Sequence, residues 1–167
     1  MAYELIETIE VGAGGASSIE WTGIPQDGVD LVCVLSSRNT SNGDLVGIHF
    51  NGTSGFTNYA GISLYGNGAS VSSTSGNINY TTAVNASSTT ANTFSNSSWH
   101  ISNYTISQAK SISSDSVVEE NVSSSSDLAQ TISAMSWSIT DPITALKLSP
   151  FSNNFAQYST ASLYKIY

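Results

Sequence analysis

Tyr3-Glu4-Leu5-Ile6-Glu7-Thr8-Ile9-Glu10-Val11 alternates along an extended chain. Tyr3, Leu5, Ile9 and Val11 share one face and Glu4, Thr8 and Glu10 take the other, a period of two that marks a half-buried strand. Gly12-Ala13-Gly14-Gly15 then turns the chain into Ser18-Ile19-Glu20-Trp21-Thr22, where Ile19 and Trp21 oppose Glu20. The spacing predicts a hairpin.

The same grammar continues downstream. Gly23-Ile24-Pro25-Gln26-Asp27-Gly28 is a turn cluster that leads into Val29-Asp30-Leu31-Val32-Cys33-Val34-Leu35, whose nearly continuous apolar character predicts a central strand covered on both faces. Val46, Ile48 and Phe50 alternate with Gly47 and His49 before an Asn51-Gly52 turn, and Ile62, Leu64 and Tyr65 supply a strand closed by Gly66-Asn67-Gly68. Residues 69–98 carry few large apolar side chains and read either as long exposed strands or as an excursion loop. Trp99 and Ile101 share a strand face, a polar strand follows over Lys110 to Glu120, and Asn121 to Asp127 reads as a loop. Within 128–138, Leu128, Ile132 and Met135 have helical spacing after an Asp127 cap while Met135, Trp137 and Ile139 have strand spacing; the reading taken is strand. Ile143 to Leu148 and Thr160 to Tyr167 close the chain as strands. Nine or ten strands without a convincing helix predict an all-β fold, an antiparallel β-sandwich of jelly-roll type, spanning 1–167 as one domain.

Composition agrees with a β protein dressed for exposure. More than a third of the residues are Ser, Thr or Asn, and 10% are charged. Hydroxyl side chains hydrate the outer face of a strand without charge, so Ser and Thr are expected outside the sandwich. The net charge is −8, and Arg38, Lys110, Lys147 and Lys165 are the only cations, too few and too scattered to line a phosphate backbone, so no nucleic-acid partner is expected. Glu4, Glu7 and Glu10 stand where a secretion signal needs basic residues. No apolar run is long enough for a membrane helix, so the expectation is a chain made in a cytoplasm that does not enter membranes by itself.

No chemistry-bearing constellation assembles along the chain. Cys33 sits among Val32, Val34 and Leu35 and reads as a small buried hydrophobe. His49 and His100 lie in strand patterns with no second ligand at a metal spacing and read as surface or interface histidines. There is no Gly-x-Ser-x-Gly elbow, so a hydrolase is disfavoured. Adjacent Glu119 and Glu120 point to opposite faces of a strand and cannot pair as acid and base. Asp27 with Asp30, and Asn39, Asn42 and Asp44, offer loop oxygens to calcium without a calcium-loop spacing, and ordinary turn chemistry is the reading taken. Gly12–Gly15 and Gly66–Gly68 lack the Lys-Ser/Thr of a phosphate loop and read as turns. The glycosylation pattern at Asn39, Asn51, Asn79, Asn85, Asn96, Asn103 and Asn121 follows from the abundance of Ser and Thr. Trp21, Trp99 and Trp137 are in phase with apolar neighbours, which favours core packing over sugar stacking. The expectation is no catalytic, cofactor or metal site.

One set of segments carries a resemblance. Tyr3-Glu4-Leu5-Ile6 with Thr8, Gly23-Ile24-Pro25-Gln26, Asp30-Leu31-Val32 with Arg38, Phe50-Asn51-Gly52 with Asn58-Tyr59, Gly66-Asn67-Gly68-Ala69-Ser70, Ile101-Ser102-Asn103-Tyr104, Lys110-Ser111 and Ser159-Thr160-Ala161-Ser162-Leu163-Tyr164 together resemble small virion proteins of tailed phages of aquatic bacteria. Where that pattern commonly ends Leu-Tyr-Gly-Ile, this chain ends Leu163-Tyr164-Lys165-Ile166-Tyr167. The resemblance implies a non-enzymatic virion protein, most simply a capsid decoration protein that binds the major capsid protein or another virion protein, often as a homotrimer. The alternative it leaves open is a tail-fibre module that binds a host receptor or surface glycan. Independently, a sandwich has exposed edges, and three lysines and three prolines are few to guard them.

Overall fold

A computed structural model describes residues 2–42, 45–118, 120–121 and 128–167, which fold as strands without a helix. In chain order the strands are β1 (Tyr3–Glu10), β2 (Ile19–Thr22), β3 (Asp30–Ser37), β4 (Leu45–Phe50), β5 (Tyr59–Gly66) and β6 (Val71–Gly76), followed by β7 (Tyr80–Ala83), β8 (Ser95–Ile101), β9 (Lys110–Val118), β10 (Ala129–Trp137), β11 (Ala145–Pro150) and β12 (Thr160–Ile166). Twelve strands thus replace the nine or ten expected. The extra ones come from residues 69–98, which hold an exposed strand, β6, and a largely buried one, β7. Residues 129–137 are a strand, as read, while the loop expected over Asn121 to Asp127 falls mostly outside the described residues.

Two antiparallel sheets result, one of eight strands in the order β1-β12-β3-β8-β9-β10-β5-β6 and one of four in the order β2-β11-β4-β7. One core cluster fills the space between them. It includes Trp21, Phe50 and Leu148 from the smaller sheet and Leu31, Trp99, Trp137 and Leu163 from the larger. The rings of Phe50 and Trp137 lie 5.2 Å apart between centroids. Aromatic side chains of this size dominate core energetics, and all three tryptophans are here at most 2% exposed.

Three expectations are corrected. The first two strands do not form a hairpin: β1 pairs with β12 and β2 pairs with β11 in the other sheet, so the Gly12–Gly15 turn carries the chain from one layer to the other. Nor does β1 keep a single alternating phase. A register shift between Leu5 and Glu7 lets Ile6 and Ile9 pack on the core, leaving Tyr3 and Leu5 exposed. A bulge of one residue exchanges the faces of everything before it. Third, β3 is central in its sheet yet covered on one face: Leu31, Cys33 and Leu35 are buried, Val32 is half-buried and Val34 is exposed. Valine suits a pleated backbone whether or not anything packs upon it.

The outward assignment of Ser and Thr also fails in one region, with structural consequences. β7, the edge of the smaller sheet, lies on the inner face of β9 and β10. There Ser116 Oγ accepts a hydrogen bond from the Ala83 N–H at 2.9 Å, and Ser133 Oγ donates to the Thr81 carbonyl at 3.1 Å. Thr81 and Ser114 hydroxyls meet at 3.3 Å, and Ser63 and Ser133 at 2.7 Å. Buried hydroxyls thus occupy backbone groups that an additional strand would otherwise pair. Because the smaller sheet stops at β7, the β5–β6 hairpin extends past it as an overhang.

Candidate functional site

The residues singled out in the sequence do not converge on one place. Cys33 is fully buried, and burial pushes its thiol far above the ordinary range, so it is an inert core residue. Asp30 accepts from His100 Nε2 at 2.9 Å and from the Asn103 N–H at 2.8 Å, fixing the end of β8. Asp27 accepts from Lys165 Nζ at 2.9 Å on both oxygens, and Lys165 also reaches Glu4 at 3.3 Å. Tyr167 Oη donates to Glu4 at 2.6 Å, so this group clasps the two ends of the chain. Glu119 and Asp44 lie outside the described residues. Among the described residues, no three His, Cys, Asp or Glu side chains stand together in a metal-binding group. Asn39, Asn79 and Asn85 are fully buried, which bars glycan attachment in the folded state.

His49 corrects the surface assignment. It is 6% exposed, packed edge-on against Tyr80 at 5.7 Å, and its Nε2 lies 3.0 Å from Ser149 Oγ while Nδ1 lies 3.1 Å from Asn79 Nδ2. The Ser–His–Asn arrangement resembles a nucleophile with its base, yet its polarity is reversed. Asn79 Nδ2 also donates to the Ile48 carbonyl at 3.1 Å, which fixes the amide as donor and Nδ1 as acceptor. The imidazole proton therefore sits on Nε2 and is donated to Ser149, so His49 cannot take a proton from that hydroxyl. Burial, reinforced by the charge of Lys147, lowers the His49 pKa to about 4. This trio is a structural lock on β4, β7 and β11.

The overhang offers two surfaces. On its outer face Ile132 of β10 stands opposite Leu64 of β5, Ala134 opposite Ile62, and Gly66 opposite Val71 of β6. Val71, Ile62, Leu64 and Ile132 are 82%, 57%, 52% and 51% exposed. Val71, Leu64 and Ile132 border, with Val117 and Leu128, a shallow apolar depression of about 470 Å³. Its inner face, with β7, bounds a cleft of about 480 Å³ lined by Tyr65, Thr74, Tyr80, Thr131 and Glu120 among others. Beside that cleft, Tyr80 packs over Gly47 and against Phe151 at 5.2 Å and Phe56 at 5.7 Å, and Phe151 is 61% exposed.

Sequence reading missed two organising cations. Arg38 spreads its guanidinium over the loop after β7: Nη1 donates to the Thr90 carbonyl at 2.7 Å and Thr89 Oγ1 at 3.0 Å, and Nη2 to the carbonyls of Thr89 and Ser87 at 2.9 and 3.1 Å. Lys110, 1% exposed, donates to the carbonyls of Ile106, Gln108, Thr140 and Asp141, tying two loops together. Neither forms a recognisable motif, because most of their acceptors are main-chain oxygens that any sequence provides. Comparison of the chain with protein-family models, curated proteins and solved structures found no match.

Proposed function

We propose that the chain is a non-enzymatic virion structural protein, a decoration protein that docks on a capsid shell through the outer face of its overhang. The observation that carries this reading is the contiguous exposed apolar surface of Ile62, Leu64, Val71 and Ile132. Single exposed apolar side chains need no explanation, but a joined patch on two or three strands marks a contact surface. Its four side chains are uncharged in a chain of net charge −8, and the nearest carboxylate in register is Asp115 of β9, opposite Ile132 at the border. The buried His49 trio, the inert Cys33 and the clasped carboxylates support a role without catalysis.

A jelly-roll architecture belongs to the same proposal. Set aside the β5–β6 and β9–β10 hairpins and the remaining eight strands read first-eighth-third-sixth in one sheet and second-seventh-fourth-fifth in the other, from β1-β12-β3-β8 and β2-β11-β4-β7. That order is the two-Greek-key winding of a jelly roll. The two hairpins then count as insertions that build the overhang.

The test is co-sedimentation with undecorated shells of the virus that encodes the chain. Binding is expected, and Leu64→Ser combined with Ile132→Ser weakens it at least about ten-fold by removing two apolar anchors. Unchanged binding by that double variant sinks the reading. The exposed Phe56–Tyr80–Phe151 cluster favours a second reading, a tail module that stacks a host glycan there. A glycan-array signal lost in Phe151→Ala selects it.

A further inference from the structure

The four sheet edges are treated differently. β1 carries Glu4, Glu7 and Glu10, β2 is only four residues long, and β7 is sealed by Ser116 and Ser133. β6, Val71-Ser72-Ser73-Thr74-Ser75-Gly76, has six exposed residues, no charge, no proline and no described strand on its outer side. Charge, shortness and coverage are the usual protections of an edge, and among the described residues β6 has none.

Its free groups can be located. In the β5–β6 hairpin the Asn67 N–H donates to the Ser70 carbonyl at 3.2 Å, and the register runs Gly66↔Val71, Tyr65↔Ser72, Leu64↔Ser73, Ser63↔Thr74 and Ile62↔Ser75. Hydrogen-bonded and non-bonded pairs alternate along an antiparallel ladder, so Ser72 and Thr74 bond to β5 while the backbone N–H and C=O of Val71, Ser73 and Ser75 face outward. An antiparallel copy of the same strand fits this pattern. With Ser73 opposite its own copy and Val71 opposite Ser75, three pairs form about six backbone hydrogen bonds and every side chain stays on its proper face.

We propose that two copies of this chain join edge to edge through β6, continuing the eight-stranded larger sheets of both into one. The inference is independent of shell docking. Charge selects the occupant: the chain's acidic groups on β1 and at the Glu4–Asp27 clasp repel a second copy, whereas β6 and the neighbouring faces of β5 meet it without charge. Pairing of an edge with itself is isologous, so the junction is two-fold rather than the three-fold association the resemblance implies. A six-residue edge buries less than the ~1,600 Å² of a standard interface. The association is therefore concentration-dependent, not permanent.

Sedimentation of the full chain across a concentration series tests this. A monomer–dimer equilibrium is expected, and Ser73→Lys, which sets two cations face to face at the centre, weakens it at least about ten-fold. As a second measurement, Ser73→Cys is expected to oxidise to a covalent dimer, since directly opposed residues have Cα atoms about 5.5 Å apart; the native Cys33 is fully buried and does not compete. A chain that stays monomeric up to ~1 mM, a trimer, a dimer indifferent to Ser73→Lys, or failure of Ser73→Cys to cross-link overturns the proposal.

Discussion

At the level of single residues, the side chains with the most conspicuous chemistry serve the fold. His49 takes up a proton near pH 6.5 when unfolded but only near about 4 when folded, because burial and then Lys147 disfavour its cation. Its contribution to stability is complete above about pH 6.5 and drains away as the pH falls from there toward about 4. Urea midpoints are expected to fall between about pH 6.5 and 5 in the native chain and to lose much of that slope in His49→Gln. Arg38 makes a different prediction. Arg38→Lys keeps the charge but loses the planar fork, so the loop at 86–93 is expected to become protease-sensitive and the unfolding free energy to drop by about 1–3 kcal/mol. Neither residue was legible as structural. A histidine in an alternating run reads the same whether the face beneath it is wet or dry, and an arginine whose acceptors, mostly carbonyls, lie 49 to 55 positions away leaves no local trace.

Among the elements, alternation was the reliable signal and facing was not. Trp99 with Ile101, Met135 with Trp137, and Leu163 opposed to Tyr164 all fall as the two-residue period predicts. Where a bulge intervenes, as at Ile6, the period survives on each side but the face changes, and the apolar character of Leu5 is spent on solvent. Serine is harder still to read. Ser113 and Ser114 are neighbours on β9, one exposed and one buried, and nothing but strand phase separates them. The buried ones have a specific task at β7. Ser116→Ala leaves the Ala83 N–H without its hydroxyl acceptor and is expected to cost about 1–3 kcal/mol. Hydrogen exchange at the Ala83 amide is expected to accelerate with it, and unchanged exchange contradicts the sealing role.

For the whole molecule, the two sheets are unequal, and the inequality leaves the β5–β6 hairpin uncovered by the smaller sheet. Four strands cannot cover eight, so the β5–β6 overhang presents an apolar outer face and an edge that no strand among the described residues pairs with. The fold class was readable because it rests on period and turns; the overhang was not, because β6 is written almost entirely in serine and threonine, a composition shared by loops. The measurement that tests the account most directly is hydrogen–deuterium exchange of the chain assembled on the shells proposed to bind it against the free chain. Protection is expected at Val71, Ser73 and Ser75 and along the outer face of β5 and β10. Amides of β6 that exchange as fast in the assembled particle as in free solution contradict the claim that this overhang is the surface through which the protein works.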